Sequence, residues 1–467
     1  MAEFDVIFLG GGPAGYLGAL RCAQLGLATA VVEREGLGGT CVLWGCIPAK
    51  ALLESAHIAS RMAHVAEFGI GVGEVKLDYG VAMRRSRAVA AQNSRGVEFL
   101  FRKHKVTWIR GTGRLTGKGE VQVTPADGAE AGHRARRAIV IATGSRVRGL
   151  PRAGLELDRR RVLSSDDALV LERAPASMII VGAGAVGCEF ADVFNAFGTR
   201  VTLVEVAARL LPLEDEDSST ELARAFRKRN IELRAGATIT GATVGEEGVT
   251  VTVQAGGERA ELAAETVLVA AGRAPNVEGI GLEEAGVQRT DAGFVRVNER
   301  FETSAPGVYA VGDVVGGPML AHKGYREGRV LADLLAGQPV QPINYRNIPR
   351  CTYCFPEVAS TGLTEAQCRE KGLDVRVGRF AFAANGRART TGETEGFVKI
   401  LHDPRYGEIL GAHIVGPHAS ELIAELVVAR ENELTVESLD AAIHAHPTLS
   451  EAVAEAVLDS MGKMLHA

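Results

Sequence analysis

Cys41 and Cys46 carry the side chains most able to do chemistry in this chain, and only four residues separate them. A regular helix would set their Cα atoms about 7.5 Å apart along its axis and turn them away from each other, beyond easy reach of a disulfide. Gly45 and Pro48 favour a break in the helix here, because glycine frees the backbone and proline prevents regular helical bonding behind it. An isolated pair at this spacing is compatible with a redox disulfide, with two buried thiols and with half of a metal site.

The overall composition restricts the kind of protein that surrounds these cysteines. The 467 residues are 46% hydrophobic and 23% charged, with a net charge of −5, which is typical of a globular protein of about three domains. The charge balance offers no basic surface for nucleic acid or membranes, and we find neither a targeting segment nor an apolar stretch of about 18 residues. We therefore expect a cytoplasmic protein. In a reducing compartment, a disulfide is more typical of catalysis than of structural cross-linking.

An internal repeat is the strongest sign of how the chain is organised. Each copy consists of an apolar strand, a G-x-G-x-x-G turn, a helix and a second strand that ends in an acid. The glycines let a pyrophosphate approach a helix N-terminus, and the acid can accept hydrogen bonds from ribose hydroxyls. Two complete copies favour two dinucleotide-binding units over glycines that serve only packing. The copies contain Gly10, Gly12, Gly15 and Glu33, and then Gly182, Gly184, Gly187 and Glu205.

Three further apolar strands end in turns of small residues. They lead to Thr143-Gly144, to Gly272-Arg273 and to Gly312-Asp313. Ligands of open α/β sheets collect at this edge of the sheet. We therefore expect these turns beside the nucleotides, with Asp313 placing a carboxylate where a polyhydroxyl chain could be held.

The remaining segments are predicted to form the scaffold. The patterns predict a long helix over residues 79–105, a surface hairpin over 121–138 and an acid-capped helix over 212–230. From about Asn347 the pattern changes to short strands and apolar helices, which predicts a separate α+β domain.

Together these motifs resemble those of the flavin-dependent pyridine nucleotide–disulfide oxidoreductases over essentially the whole chain, and within that family they are most similar to the dihydrolipoamide dehydrogenases. The motifs stand in family order: G-x-G-x-x-G at 10–15, Glu33, GGTC-x4-C-IP-x-K at 38–50, ATGS at 142–145, G-x-G-x-x-G at 182–187, Glu205, AGRAPN at 271–276, Gly312-Asp313, and the segments 320–323, 356–360, 392–397 and 444–451.

The resemblance implies an α/β fold with two Rossmann-like dinucleotide-binding domains, one for FAD and one for NAD, and a C-terminal α+β dimerisation domain. It implies that residues 1–148 and 277–346 form the FAD-binding domain, residues 149–276 the NAD-binding domain and residues 347–467 the dimerisation domain. The implied cofactors are one tightly bound FAD per chain and NAD, and no metal is expected.

The resemblance also assigns cofactor-binding positions. In the FAD unit Glu33 binds the adenosine ribose, Lys50 lies near the flavin and Asp313 holds the ribityl chain; the other positions are Gly10, Gly12, Gly15, Gly39, Thr40, Gly113, Thr143, Gly144 and Ala321. The NAD unit contributes Gly182, Gly184, Gly187, Glu189, Glu205, Gly272 and Arg273. Glu189 has two interpretations, the ion-pair partner of Lys50 and a plain helix acid.

The preference for NAD over NADP is argued from Glu205, because its carboxylate would repel a 2′-phosphate. Arg209 is the nearby residue able to oppose that preference. We interpret Arg209 as structural.

The implied catalytic residues are Cys41, Cys46, His446 and Glu451. Pro447 favours an extended His446 just before a helix, and Thr448 and Glu451 have the T-x-x-E spacing of a capping box. Glu451 therefore has two interpretations that can both hold: a partner in the helix cap, and the carboxylate that orients His446 as a general base. The resemblance implies that His446 serves the partner subunit of a homodimer, so that the active sites are shared between chains.

The implied function is oxidation of protein-bound dihydrolipoamide with reduction of NAD+, through a Cys41–Cys46 redox disulfide and FAD. The implied partners are the lipoyl domain and the E2 core of a 2-oxo acid dehydrogenase complex, or a glycine-cleavage complex. Two alternatives stay open: another NAD(P)H-dependent flavin disulfide reductase, similar to glutathione reductase, and a non-catalytic interaction subunit that retains the fold.

Leu43, Trp44 and Ala49 depart from the family pattern around the cysteines. We expect them to alter packing at the flavin site more than its chemistry. Trp44 has two interpretations, a residue that tunes the potential and a core residue, and we favour the core. A second pair, Cys351 and Cys354, lies in a strand-like run without further ligands, so we assign it neither a metal nor a redox role.

Overall fold

The structure is a computed structural model that describes residues 1–117 and 119–466. Its internal contacts divide the chain into two units. Unit 1 contains Met1–Ala51, Met83–Arg148 and Gly272–Ile343, and unit 2 contains Leu52–Ala82, Gly149–Ala271 and the described residues from Asn344 onwards.

Strands and helices alternate along most of the chain. Up to residue 148 they are β1 Ala2–Leu9, α1 Pro13–Gln24, β2 Thr29–Glu33, α2 Gly39–Trp44, α3 Cys46–Met62, α4 Tyr79–His104, β3 Thr107–Arg110, β4 Thr112–Gly117, β5 Glu120–Thr124, β6 Ala131–Ile141 and β7 Ser145–Val147. Up to residue 271 they are β8 Val162–Leu163, α5 Ser165–Ala168, β9 Ser177–Val181, α6 Ala185–Ala196, β10 Arg200–Glu205, α7 Glu216–Lys228, β11 Glu232–Ala235, β12 Thr238–Val244, β13 Val249–Ala255, β14 Glu258–Ala264 and β15 Thr266–Val269. The rest are β16 Arg273–Pro275, β17 Val308–Ala310, α8 Ala321–Leu335, β18 Arg350–Thr352, β19 Glu357–Gly362, α9 Glu365–Glu370, β20 Arg376–Ala381, α10 Gly386–Thr391, β21 Phe397–His402, β22 Ile409–Gly416, α11 Ala419–Glu431, α12 Val436–Asp440 and α13 Glu451–Ser460.

The main sheet of unit 1 has the strand order β3-β2-β1-β6-β5-β4, and β17 pairs with β6. Strands β3, β2, β1, β6 and β17 are parallel, whereas β4 and β5 extend the sheet as antiparallel strands. The central strands are buried, as the Val6–Leu9 end of β1 illustrates, because parallel sheets are covered on both faces. The carboxyl ends of β1, β2 and β6 therefore meet at one edge, where nucleotides bind in open sheets.

Unit 2 contains a second parallel sheet in the order β11-β10-β9-β15-β8, together with the antiparallel sheet β12-β13-β14. All five residues of its central strand β9 are buried. The C-terminal part of the unit is an antiparallel sheet in the order β18-β19-β22-β21-β20, and α11 and α13 pack against it. The α/β fold with two Rossmann-like sheets and a C-terminal α+β part is confirmed.

The hairpin expected over residues 121–138 is present, with an exposed turn and one exposed face, whereas its other face belongs to the core. Strands β5 and β6 pair with each other inside the main sheet of unit 1. Val121 and Val123 are buried against Leu115, Ile139 and their neighbours. The charged residues of the hairpin lie on the opposite face, because side chains alternate along a strand.

Candidate active site

The helix break predicted between the two cysteines is confirmed. Helix α2 ends at Trp44, Gly45 has φ −149° and ψ −108°, and α3 begins at Cys46. All seven cysteines are thiols, Cys41 and Cys46 among them. The Cys41 thiol donates a hydrogen bond to Cys46, and this bond and partial burial raise the pKa of Cys41, whereas the positive charge of Lys50 opposes the rise. Cys41 and Cys46 are therefore close enough to interact directly, and Lys50 favours a thiolate beside them.

The two glycine-rich turns have the same structure in the two units. Gly10 and Gly182 have φ of +109° and +102°, a conformation that favours glycine. A Cβ at these positions would lie 2.3 Å from the carbonyl oxygen of Ala142 and 2.6 Å from that of Ala270. Each turn leads into a helix, α1 or α6, whose first residue is preceded by a glycine, Gly12 or Gly184, without a side-chain cap.

These two helix N-termini fit the phosphates of a dinucleotide. Free N–H groups and the positive end of the helix dipole make such a terminus a binding site for anions. In unit 1 the turn is tightened by Gly39, since a Cβ there would lie 2.6 Å from the Cα of Gly12. Thr40 follows Gly39 in the first turn of α2. A dinucleotide pyrophosphate therefore fits the start of both helices.

The acids at the ends of β2 and β10 make equivalent hydrogen bonds in the two units. Glu33 accepts hydrogen bonds from the N–H groups of Gly11 at 2.9 Å and Glu35 at 2.9 Å. Glu205 accepts them from Ala183 at 2.6 Å and Ala207 at 2.8 Å. Each carboxylate thus joins the glycine turn to the loop after the second strand, and an ionised carboxylate retains lone pairs for ribose hydroxyls.

Asp313 lies in a short 3₁₀ turn, Gly312–Val315, that two buried residues of α8 hold in place. Lys323 donates to the carbonyl oxygens of Gly312 at 3.0 Å and Gly316 at 2.9 Å, while Glu327 accepts from the Gly312 N–H at 2.7 Å. Lys323 and Glu327 form an ion pair of 3.2 Å, with side chains 2% and 1% exposed. Ala321 is the first residue of α8.

Arg273, Ser145 and Asp313 form a chain of hydrogen bonds across unit 1. Arg273 donates to the Ser145 hydroxyl at 2.7 Å and to the Ser145 carbonyl oxygen at 2.7 Å, and the hydroxyl donates to Asp313 at 2.6 Å. The neighbouring turn is closed by Asn276, which bonds to Thr143 and to the Gly144 carbonyl. Three motifs far apart in sequence, ATGS, AGRAPN and Gly312-Asp313, therefore form one site.

Other expected cofactor positions are also located. Gly113 lies on β4 beside the ends of β1 and β2, since a Cβ there would be 2.7 Å from Leu9 and 3.2 Å from Val32. A Cβ on Gly187, in α6, would lie 1.8 Å from the Gly182 carbonyl oxygen. Glu189 is buried in α6 and accepts the Tyr353 N–H at 3.1 Å. Gly272 precedes β16 with φ +102°.

The residues near Glu205 and the second cysteine pair behave as structural groups. Arg209 donates to the carbonyl oxygens of Pro212 at 3.5 Å and Glu214 at 3.4 Å. Cys351 lies in β18, and Cys354 lies beyond the end of that strand and is buried. Among residues 1–117 and 119–466, no group of three or more His, Cys, Asp or Glu side chains is arranged to hold a metal. No helix in the same residues is long and apolar enough to cross a membrane.

His446 and Glu451 form a close pair in unit 2. His446 Nδ1 lies 2.8 Å from a Glu451 oxygen, and the histidine side chain is 80% exposed. Burial raises the pKa of the Glu451 carboxyl, but the N–H of Thr448 and the His446 ring outweigh it and lower the pKa. Glu451 is therefore ionised, and it holds the ring with Nε2 directed away from the carboxylate, as a general base requires.

The capping box expected at residues 448–451 is only half formed. Glu451 accepts the Thr448 N–H at 2.7 Å, as a cap would, but the Thr448 hydroxyl donates to the Ala445 carbonyl at 2.7 Å. Helix α13 begins at Glu451 itself. The T-x-x-E spacing thus belongs to the turn that presents His446 rather than to the first turn of the helix.

Tyr16 and Tyr325 are site residues that the sequence did not reveal. Their hydroxyls lie 3.2 Å apart, where α1 and α8 cross. Burial raises the pKa of both phenols, and negative charge on Cys41 raises it further. Both tyrosines lie inside helices, Tyr16 in α1 and Tyr325 in α8, and neither belongs to a motif, so no sequence signal identified them.

Comparison with known proteins identifies the protein family of this chain. The model of the pyridine nucleotide-disulphide oxidoreductases matches residues 4–328, and the model of their dimerisation domain matches residues 348–457. The chain belongs to this family. Pyridine nucleotide-disulphide oxidoreductases of this kind use FAD and NAD, and these are the cofactors of the chain. The dimerisation domain indicates a homodimer.

Several relatives match this chain over its full length. A dihydrolipoyl dehydrogenase of Rhizobium etli is 43% identical, with 100% of both chains covered, and one of Bacillus subtilis is 41% identical, with 99% of both covered. Among solved structures, LpdA from Mycobacterium tuberculosis has a TM-score of 0.90 at 30% identity, covering 98% of this chain and 99% of that one. The HOCl-induced flavoprotein disulfide reductase RclA from Escherichia coli has a TM-score of 0.85 at 27% identity, covering 96% and 98%.

Proposed function

We propose that this chain is a dihydrolipoyl dehydrogenase, which oxidises protein-bound dihydrolipoamide to lipoamide and reduces NAD+. The observation that carries the proposal is the Cys41–Cys46 pair across the Gly45 break, beside Lys50 and on a chain that full-length dihydrolipoyl dehydrogenases match at 41–43% identity. Oxidation of the substrate dithiol to a disulfide releases two electrons and two protons. The Cys41–Cys46 disulfide accepts the two electrons and becomes a dithiol.

In the proposed mechanism, His446 removes a proton from a substrate thiol, because only a thiolate attacks a disulfide. The substrate thiolate attacks Cys41 Sγ, and Cys46 leaves as a thiolate that the Lys50 charge favours. The second substrate thiolate then attacks the mixed disulfide, which releases Cys41 and completes lipoamide. Glu33, Lys50 and Asp313 would hold FAD, and Glu205 would hold NAD+; bound there, the flavin would supply an acceptor for the electron pair of the dithiol and a hydride donor for NAD+.

The same proposal assigns the remaining cofactor residues and domain limits. The FAD positions are Glu33, Asp313 and the turns that contact them, and the NAD positions are Glu205 and the α6 turn. Residues 1–148 and 277–346 form the FAD-binding domain, 149–276 the NAD-binding domain and 347–467 the dimerisation domain. The uncapped starts of α1 and α6 and the repeated contacts of Glu33 and Glu205 support this assignment.

We further propose that each active site of the homodimer is built by both chains and that the substrate is the lipoyl domain of an E2 protein. The exposure of His446 at 80% and of Ile443 at 99% supports a face that a second subunit covers. A cytoplasmic location belongs to the proposal, because an odd number of cysteines with one redox pair is more typical of a catalytic disulfide in a reducing compartment than of a secreted scaffold.

The test compares two substrate pairs on the purified holoenzyme. NAD+ reduction by dihydrolipoamide is measured against NADPH oxidation by glutathione disulfide, with Cys46→Ser as the control that lacks the redox pair. The proposal predicts turnover with dihydrolipoamide and NAD+, and loss of that turnover in Cys46→Ser. Faster turnover with glutathione disulfide and NADPH, or undiminished turnover in Cys46→Ser, would contradict it.

A further inference from the structure

We propose that Arg87 is a positioning residue for the redox pair: it holds the turn between Cys41 and Cys46 and thereby sets how readily the two thiols form a disulfide. Arg87 lies in α4, far from the cysteines in sequence, and has no part in the motifs described above. The inference rests on the redox role proposed for Cys41 and Cys46.

Helix α4 binds the segment that carries the cysteines through four side chains. Ser94 donates to the Leu37 carbonyl at 2.7 Å and Ser86 to the Pro48 carbonyl at 2.8 Å. Arg85 donates to the Ala51 carbonyl at 3.0 Å, and Arg87 donates to the Leu43 carbonyl. Two of these bonds reach carbonyls beyond Cys46 and one reaches a carbonyl before α2. The Arg87 bond ends at Leu43, between the two cysteines.

The turn between the cysteines needs such support from outside. Helix α2 has six residues, too few to be stable alone, and the carbonyls of its last turn have no partners within the helix. Glycine at position 45 adds backbone freedom. A cation that donates to the Leu43 carbonyl satisfies one of these groups at the negative end of the helix.

Trp44 provides the second half of the contact. The Arg87 guanidinium carbon lies 4.3 Å from the centre of the Trp44 ring, within the range of a cation–π interaction. The indole Nε1 donates to Glu35 Oε2 at 3.2 Å. The expectation that Trp44 packs in the core is therefore wrong: the side chain is half-buried between an arginine and an acid. Its departure from the family pattern supplies the surface on which Arg87 rests.

This contact bears on redox chemistry because a disulfide tolerates little variation in geometry. Its Cβ atoms must lie about 3.8 Å apart, so a turn that fluctuates lowers the effective concentration of one thiol near the other. Without the Arg87 contact the turn gains conformational freedom in the dithiol form. The cross-link prevents the same gain in the disulfide form, so the dithiol is favoured. Loss of Arg87 therefore makes the disulfide easier to reduce.

The experiment equilibrates the FAD-loaded protein, without oxygen, in buffers of dithiothreitol and its oxidised form. Alkylation and mass spectrometry then give the fraction of Cys41 and Cys46 in the disulfide. We expect Arg87→Ala to shift the equilibrium about tenfold towards the dithiol, which is about 30 mV for a two-electron couple. Arg85→Ala is the matched control, since it removes a bond from α4 to a carbonyl outside the cysteine pair, and we expect a shift below about twofold.

Two further variants separate positioning from charge. Arg87→Lys keeps the positive charge but loses the planar group that stacks on the indole, so it should shift the equilibrium in the same direction as Arg87→Ala. Recovery of the wild-type equilibrium by lysine would overturn the inference in favour of a simple charge effect. Trp44→Val leaves Arg87 in place, should shift the equilibrium in the same direction, and provides the test if Arg87→Ala does not fold.

The effects of Arg87→Ala and Trp44→Val on the disulfide equilibrium should not be independent. If Arg87 and Trp44 form one contact, the double variant shifts the equilibrium no further than the larger single shift. A wild-type equilibrium in Arg87→Ala, or additive effects in the double variant, would overturn the inference. Failure of the wild-type cysteines to form a disulfide in any buffer would instead contradict the proposed function, so the two failures are distinguishable.

Discussion

Glu33 and Glu205 each have a structural task that is separate from ligand binding. Each carboxylate accepts two backbone N–H groups that join a glycine turn to the following loop. Substitution by alanine would therefore alter the loop as well as the nucleotide contact. A substitution that keeps the side-chain size tests the ligand role more cleanly.

Glu205→Gln should weaken the preference for NAD over NADP. Glutamine keeps one oxygen for the backbone but removes the negative charge that repels a 2′-phosphate. We expect the ratio of kcat/KM for NAD to that for NADP to fall about tenfold or more. A tenfold change corresponds to about 1.4 kcal/mol of discrimination between the two nucleotides. Steady-state kinetics with both nucleotides measure it, and Glu33→Gln in the first unit is the control that should leave the ratio unchanged. An unchanged ratio in Glu205→Gln would contradict the assignment of NAD to the second unit.

The sequence identified residues whose role depends on local spacing and missed those whose role depends on contacts across the chain. The glycine turns, the two acids and the cysteine pair repeat fixed local patterns. Arg87 meets its partners only after α4 has packed against the segment that carries Cys41 and Cys46. Glu327 and Tyr325 meet theirs only after α8 has packed against the Asp313 turn and against α1. Trp44 was misjudged for the same reason, because the arginine beside it comes from a distant helix.

At the scale of elements, a buried lysine connects α7 to the C-terminal sheet within unit 2. Lys399 of β21 is 2% exposed and lies 2.9 Å from Asp215, 2.7 Å from Asp217 and 2.8 Å from Glu365. Asp215 is the N-cap of α7 and accepts the Asp217 N–H. Burial lowers the pKa of Lys399, but the three carboxylates outweigh it and raise the pKa. The ammonium therefore stays charged.

Lys399→Met should lower the free energy of unfolding by about 3 kcal/mol, near the lower end of the cost of breaking a buried ion pair. Asp215 would be left buried without its cation, whereas Asp217 and Glu365 retain access to water and limit the loss. Denaturant unfolding followed by circular dichroism measures the change. Lys463→Met, which removes a more exposed pair with Asp440, should change stability by less than about 1 kcal/mol. Equal stability of the two variants would contradict the structural role of Lys399.

His57 of α3 makes part of the stability of unit 2 depend on pH. Its Nε2 lies 3.4 Å from the buried Asp192 of α6, which also binds Arg229 and accepts the Phe355 N–H at 2.7 Å. Burial lowers the pKa of His57, but the Asp192 carboxylate outweighs it, with smaller contributions from Glu357 and Glu54, and the pKa is raised. Protonated His57 therefore favours the folded state.

The sign of the effect follows from the raised pKa. The contribution of His57 is fully present below the unfolded pKa of about 6.5 and is lost as the pH rises through the higher folded pKa. His57→Gln should therefore destabilise the protein most near pH 5.5 and least near pH 9, as measured by denaturant unfolding across that range. A stability difference for His57→Gln that is independent of pH would contradict the coupling to Asp192.

Most elements were predictable because their patterns are local. Helix α4, predicted over residues 79–105, spans Tyr79–His104, and the acid-capped helix predicted over 212–230 is α7, Glu216–Lys228. The T-x-x-E spacing misled because Thr448 had a competing acceptor, the Ala445 carbonyl, in its own turn. Side-chain competition of this kind is invisible to spacing alone.

At the scale of the whole molecule, the proposed catalytic groups belong to different units. Cys41 and Cys46 lie in unit 1, and His446 lies in unit 2 on the domain that the family uses for dimerisation. Large exposed apolar residues such as Ile443 on that domain are typical of a surface that a partner covers. The proposal of shared sites therefore makes a quantitative prediction about mixed dimers.

A mixed dimer of a Cys46→Ser chain and a His446→Gln chain should have about half of the wild-type activity per dimer, although each variant is inactive as a homodimer. If His446 acts across the interface, one of the two sites combines the intact cysteines of the His446→Gln chain with the intact histidine of the Cys46→Ser chain. Two affinity tags allow the mixed dimer to be isolated, and NAD+ reduction by dihydrolipoamide is then measured against FAD content. If His446 acts within its own chain, both sites are defective. A mixed dimer that retains FAD but has no activity would therefore contradict shared sites and would assign the histidine to the cysteines of its own chain.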